Sequence, residues 1–165
     1  MITYLTDGTE VALREIRADD KDLLAAGYAR LSETSRLKRF LGPKPKLTAS
    51  DLRYLTEVDG VNHYAVVALV DGHIVGVARW VRLIGDPDAA EAAVVVGDPL
   101  QGKGLGKALA RQLADTARER GVKRITASIM SSNPPAEALM RVIGERLTDG
   151  GHHHGVHELV AELAA

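Results

Sequence analysis

The spacing of apolar positions changes several times along the chain, and each change marks an element. Alternation over residues 10–16, after a turn at Asp7-Gly8, predicts a strand, and Asp19 is placed to cap a helix carrying Leu23, Leu24, Tyr28 and Leu31. Residues 35–47, SRLKRFLGPKPKL, are basic and broken by Pro43 and Pro45. They predict a loop before a short helix capped by Thr48, with Asp51 three residues on. Residues 64–70 and 74–83 are β-branched and apolar, joined by Asp71-Gly72, a dipeptide suited to a tight hairpin. A turn at residues 85–88 leads to 90–96, a nearly continuous apolar run that predicts a central strand covered on both faces.

Leu105, Leu109, Leu113 and Ala117 recur every four residues, which predicts a helix with one buried stripe, ended by Gly121. A strand follows over 123–130 with Ile125, Ala127 and Ile129 on one face. Pro135 fits the first turn of another helix, Leu139 and Ile143 point inward from it, and residues 156–163 form a last strand. His152, His153 and His154 are expected in a loop between the last two strands. No metal is expected there, because consecutive residues of an extended chain point to opposite sides and no carboxylate at helix spacing completes a site.

Composition narrows the chemistry. At 165 residues the chain is expected to form one domain, 1–165, with a core needing neither disulfides nor metal. The absence of cysteine excludes thiol catalysis and thiolate zinc sites, and points to a cytoplasmic protein. No apolar run approaches a membrane span, so no membrane partner is expected. With 21 basic against 22 acidic side chains, and only one Trp, four Tyr and one Phe, nucleic acid is not an expected partner either.

The stretch GDPLQGKGLGKALA, residues 97–110, brings bare backbone to a helix start, as anion-binding loops do. Read as a Walker loop, it puts Gly104 where a Ser or Thr must hold magnesium. Read as a dinucleotide fingerprint, Gly102, Gly104 and Gly106 fall one residue short. A third pattern, Q-x-x-G-x-G, is met by Gln101, Gly104 and Gly106, and resembles the acyl-CoA pyrophosphate loop of the GNAT superfamily of N-acetyltransferases. On local spacing alone, a glycine-rich turn without a ligand remains the alternative.

The wider order of elements carries the resemblance across almost the whole chain: a strand meander, VVVGDPLQGKGLGK, a helix, a strand, Asn133 and another helix. It implies an α/β (α+β) fold with a mixed, mostly antiparallel central sheet flanked by helices and splayed at the acyl-CoA site. In that family the N–H groups of Gly102, Lys103, Gly104, Leu105, Gly106 and Lys107 would wrap the CoA pyrophosphate. Backbone groups of Val94, Val95 and Val96 would pair with the pantetheine arm, and Asn133 would contact it too. A narrower resemblance, to bacterial protein lysine acetyltransferases, rests on residues 30–82 and on AEAAVVVGD at 90–98. Some relatives there carry an additional cyclic-nucleotide-binding domain, for which this chain has no room. Such control is expected to be lost or supplied by another protein.

The resemblance implies acetyl-CoA as co-substrate and a primary amine, a protein lysine or a small molecule, as acceptor. It assigns Glu91 as general base and leaves room for a homodimer. Where many members carry a tyrosine as general acid, this chain has Met140. The competing class is a non-catalytic acyl-CoA sensor, which Met140 leaves open and Glu91 disfavours. The basic stretch with Arg36, Lys38 and Arg39 reads as a solvated face or as a selector of acidic acceptors.

Overall fold

A computed structural model of the protein describes residues 1–130, 133–144 and 146–164. The elements run β1 (Ile2–Tyr4), β2 (Glu10–Glu15), α1 (Lys21–Ala29), α2 (Glu33–Phe40), α3 (Ala49–Thr56), β3 (His63–Val70), β4 (His73–Leu83) and β5 (Asp86–Val96). They continue with α4 (Leu105–Glu119), β6 (Arg124–Met130), α5 (Pro134–Ile143), β7 (Arg146–His153) and β8 (Val156–Glu162). One eight-stranded sheet has the order β1-β2-β3-β4-β5-β6-β8-β7, and every neighbouring pair is antiparallel except β5 with β6.

The parallel seam positions everything else. β5 and β6 pair only through Ala89 with Arg124, Ala90 with Ile125 and Glu91 with Thr126. Beyond Glu91, β5 stays bonded to β4 while β6 follows β8, so the sheet parts between them. Each face of the sheet has its own core. Leu105, Leu109 and Leu113 of α4, with Met140 and Ile143 of α5, pack on Trp80, Ala90 and Ile125. On the other face Leu24 of α1 and Leu55 of α3 pack on Ala65, Val67 and Val77. The mixed, splayed sheet is thus as expected.

Several local expectations need correction. The basic stretch read as a loop is largely the helix α2: Ser32 caps it by accepting from Ser35 N at 3.1 Å, and Leu41 ends it at φ 58, before Pro43. Asp20, rather than Asp19, serves the start of α1, since its carboxylate accepts from Arg17 N at 2.7 Å and pairs with Arg14 at 2.8 Å. The run 90–96 is not covered on both faces: Ala90 is buried, but Val94, Val95 and Val96 are only half-buried because they border the parting. His152 and His153 belong to β7 rather than to a loop, and β1 lies outside the expected pattern. The Thr48 capping box and the two-residue Asp71-Gly72 turn are present as anticipated.

Candidate active site

A cavity of about 570 Å³ opens where β5 and β6 part. Its floor is the run Val94, Val95 and Val96; its walls come from the loop into α4, from Asn133 and Leu139 at α5, and from Lys38 and Arg39 of α2.

The loop is built to leave donors free. Gly104 stands at φ 93, a conformation that favours glycine, and opens α4 without a side-chain cap. Residues 100 and 101 turn back on Gly97 and Asp98, and Ala108 N donates to Gly104 O. The N–H groups of residues 102–107 donate to no carbonyl or side chain among the described residues. They converge at the positive end of a 15-residue helix, the arrangement that holds a phosphate.

β5 supplies a second row. Gly97 N donates to Val75 O on β4, so by strand alternation the N–H and C=O of Val96 and Val94 face away from β4, into the cleft. Val95, expected to offer its backbone as well, turns those groups to Val77 of β4 and lines the cavity otherwise. The Val96 carbonyl is taken by Gln101 Nε2 at 3.0 Å. Asn133 lines the cavity, and its side chain caps nothing in α5.

The sequence-named residues therefore divide by role. Gly102, Gly104, Gly106 and Lys107 line the cavity. Leu105 is fully buried in the core under α4, and Lys103 turns its ammonium to Asp7 at 2.9 Å, so both face the site through backbone only. That ion pair, the Thr9 hydrogen bonds to Asp7 and the Thr6 N bond to Lys103 O tie the loop to the β1–β2 turn. Gln101 also lines the cavity while bracing the loop against Val96 and, at 3.3 Å, Ser35 Oγ.

Sequence reasoning missed the device that docks α2 over this loop. Asp98 accepts from Ser32 N at 3.0 Å, Ser32 Oγ at 2.8 Å and Ser35 Oγ at 2.9 Å. Partial burial raises the Asp98 pKa, but the Ser32 and Ser35 bonds outweigh it and hold the carboxyl below its ordinary value. The signal available was Ser32 beside a helix-like pattern; the partner more than sixty residues away was not legible.

Glu91 ends the parallel seam, exposed, with no hydrogen bond or ion pair among the described residues. It lies on the α1–α3 face, the face to which Val95 also contributes. At about 3.3 Å per residue, its Cα is about 10 Å along β5 from that of Val94, a gap that a glutamate and one water bridge. Arg39, against Phe40 at 4.5 Å, makes no hydrogen bond or ion pair among the described residues. Burial disfavours its charge, and nearby Glu91 favours it. Met140 is 3% exposed and belongs to the core, so it fills space where a proton donor is absent. None of the four tyrosines lines the cavity.

Comparison with known proteins gives the same reading. The family model described as Acetyltransferase (GNAT) family matches residues 25–144. An acetyltransferase of Pseudomonas aeruginosa is 32% identical over 147 residues, covering 87% of this chain and 78% of its own length. Acetyltransferase Pat of Mycolicibacterium smegmatis is 31% identical over 80% of this chain, which spans only 40% of that longer protein. The crystal structure of the GNAT domain of S. lividans PAT superposes with a TM-score of 0.90 at 30% identity, covering 99% of this chain and 96% of that one. A parted sheet with free donors at a helix start, and a family match over most of its length, lead to one conclusion: the chain belongs to the acetyltransferase (GNAT) family and is an N-acetyltransferase that uses acetyl-CoA.

Proposed function

We infer that this acetyltransferase acts on a protein lysine, with Glu91 as general base and residues 94–96, 101–107 and 133 holding the cofactor. The observation that carries the inference is a carboxylate without a partner among the described residues, at the end of the β5–β6 seam and on the strand whose Val94 and Val96 N–H groups face the cleft. The cavity suits the cofactor's chemistry: N–H groups at the start of α4 for a pyrophosphate, with Lys107 and Lys38 near, and Leu100, Ala136 and Leu139 for an apolar arm. The Asn133 amide, which caps nothing in α5, the cleft-facing groups of Val94 and the N–H of Val96 suit the amides of such an arm.

Acetyl-CoA supplies an acyl carbon activated as a thioester. The chain's part is to make the acceptor nucleophilic and to meet the charge that develops. Glu91, acting through one water, takes the proton of the attacking ammonium or amine. The main-chain N–H of Val94 is the donor for the carbonyl oxygen, preorganised by the β4–β5 pairing. Met140, buried in the core, has no proton to return to the departing thiolate, so solvent supplies it. A protein lysine is favoured by the resemblance of residues 30–82 and 90–98 to bacterial protein lysine acetyltransferases and by the exposure of Glu91.

The test is turnover with labelled acetyl-CoA on lysine-bearing proteins and on small amines, read as CoA thiol release and as label in protein. Label on lysine side chains is expected. Label on small amines alone would replace the acceptor, and binding without thiol release under any acceptor would make the protein a sensor.

A further inference from the structure

The hairpin at the edge of the sheet carries a second cluster of reactive groups, none of which lines the cavity described above. His152 of β7 stands directly opposite His157 of β8. One step earlier the register shifts: Asp149 faces Leu159 and Gly151 faces Glu158, so Gly150 is the extra residue of a bulge. In an unbroken strand, residues three apart lie on opposite faces. The inserted glycine reverses that and puts Asp149 on the face of His152, where His157 lies two residues from Leu159. Only glycines suit the bulge, since Gly151 has φ 114 and a Cβ on Gly150 would meet Glu158 Cβ at 3.1 Å.

The result is a compact donor set. Asp149 Oδ2 lies 3.6 Å from His152 Nε2, and Oδ1 lies 3.1 Å from His157 Nε2. The two rings stack with centroids 3.8 Å apart and planes 15° apart. One ligand atom from each residue falls within 4.8 Å of the other two. The carboxylate is held by Gly151 N–H at 2.7 Å. His157 Nε2 is buried and, among the described residues, has no hydrogen bond of good geometry, its contact being the Asp149 carboxylate at 3.1 Å.

We propose that Asp149, His152 and His157 form a site for a divalent cation of the zinc class. Two imidazoles and a carboxylate are ligands that Zn²⁺ accepts at about 2.0–2.2 Å, which in tetrahedral geometry sets ligand atoms about 3.3 Å apart. His152 Nε2 lies 3.6 Å from one Asp149 oxygen and His157 Nε2 lies 3.1 Å from the other, so each imidazole is near that spacing from the carboxylate. All three donors lie within 4.8 Å of one another, and the exposed His152 ring is free to turn toward a cation. Three protein ligands leave the fourth position to water, and the Gly151 N–H orients the carboxylate from behind. His152 and His153 point to opposite sides of β7, as neighbours on an extended strand do. The bulge and the paired strand supply the carboxylate and the second histidine. Because Val156 pairs with Met130, the site lies at the end of the sheet where β5 and β6 have parted.

The test is competition of the tag-free, chelator-stripped protein with a chromophoric chelator for Zn²⁺. One equivalent is expected to bind and to raise the melting temperature. His157→Gln and Asp149→Asn are each expected to weaken binding more than about tenfold, since even an outer-shell change costs about 10–100-fold. A His153→Gln, His154→Gln double variant is expected to bind within about twofold of the wild type. Melting in chelator separates lost binding from lost fold, and if His157→Gln does not fold, the exposed Asp149→Asn decides. No bound equivalent at micromolar Zn²⁺ would overturn the proposal. So would binding that survives His157→Gln or Asp149→Asn, or that is lost with the double variant.

Discussion

Replacing Glu91 by glutamine removes a proton acceptor and little else. The residue is exposed and has no partner among the described residues, and its register neighbours Val81 and Thr126 hold the backbone. A surface change of that kind moves stability by no more than about 0.5 kcal/mol. The catalytic effect is far larger. A lysine of pKa about 10.4 is neutral to roughly one part in a thousand at pH 7.4, a deficit of about 4 kcal/mol. A positioned base supplies about 10²–10⁴ in rate, or roughly 2.7–5.5 kcal/mol, which matches that deficit. Thus kcat at pH 7.4 is expected to fall by about 10²–10⁴ in Glu91→Gln, with acetyl-CoA affinity nearly unchanged because Glu91 is not among the cavity-lining residues. Each pH unit gained supplies about tenfold more neutral amine, so the deficit should shrink steadily toward pH 10. Thiol release at saturating substrates from pH 7 to 10, corrected for spontaneous thioester hydrolysis, measures it. Parallel pH–rate profiles in two equally stable proteins would refute the assignment and leave proximity and backbone donors as the whole of the catalysis.

Gly104→Asp tests the loop: the nearest atom to an added Cβ is Thr6 Cγ2 at 3.9 Å, so the cost is the backbone conformation alone, about 1–2 kcal/mol. The variant should fold yet lose the stabilisation by acetyl-CoA, about 2.7 kcal/mol at 100 times Kd, and a normal thermal shift would remove the loop from the site. Asp98→Ala, which frees Ser32 and Ser35, should cost about 1 kcal/mol and raise KM for acetyl-CoA with kcat held, because α2 carries Lys38 and Arg39 into the cavity. An unchanged KM would mean that α2 docks by other contacts. Burial, with Arg79 Nη1 at 2.8 Å from its Nε2, pushes His63 down to about 4 from an ordinary 6.5. The unfolded chain therefore takes up a proton first, and stability present above pH 6.5 is lost as pH falls toward 4, about 3 kcal/mol in all. His63→Gln should flatten urea midpoints over that range, and an equal slope in both proteins would exclude His63 as the cause.

What was legible in the sequence was whatever a local period or turn encodes. The four-residue recurrence from Leu105 to Ala117, the glycines before it and the Thr48–Asp51 box all reappear as α4, its loop and the cap of α3. The helix α2 was hidden because most of its exposed surface is charged, and two prolines just beyond it dominated the reading. The openness of Val94, Val95 and Val96 was hidden for a different reason: an apolar run looks the same whether protein or a ligand is to cover it. Least legible were partners far apart in sequence, such as Asp98 with Ser32 or Asp149 with His157, since no local rule links them.

The shortness of the parallel seam also bears on mechanics. A sheet resists flexing because each strand is bonded along its length to both neighbours, but here the β1–β5 leaf and the β6–β8–β7 leaf join through three residue pairs at one end. The empty protein therefore has a hinge line down its middle, restrained beyond Glu91 by the packing of α4 and α5. A molecule laid into the parting with its own amides bonded to β5 acts as a splint across that line. Stiffness then reports occupancy. Amide exchange should slow together in β5 beyond Glu91 and in β6 beyond Thr126, two segments that are not bonded to each other.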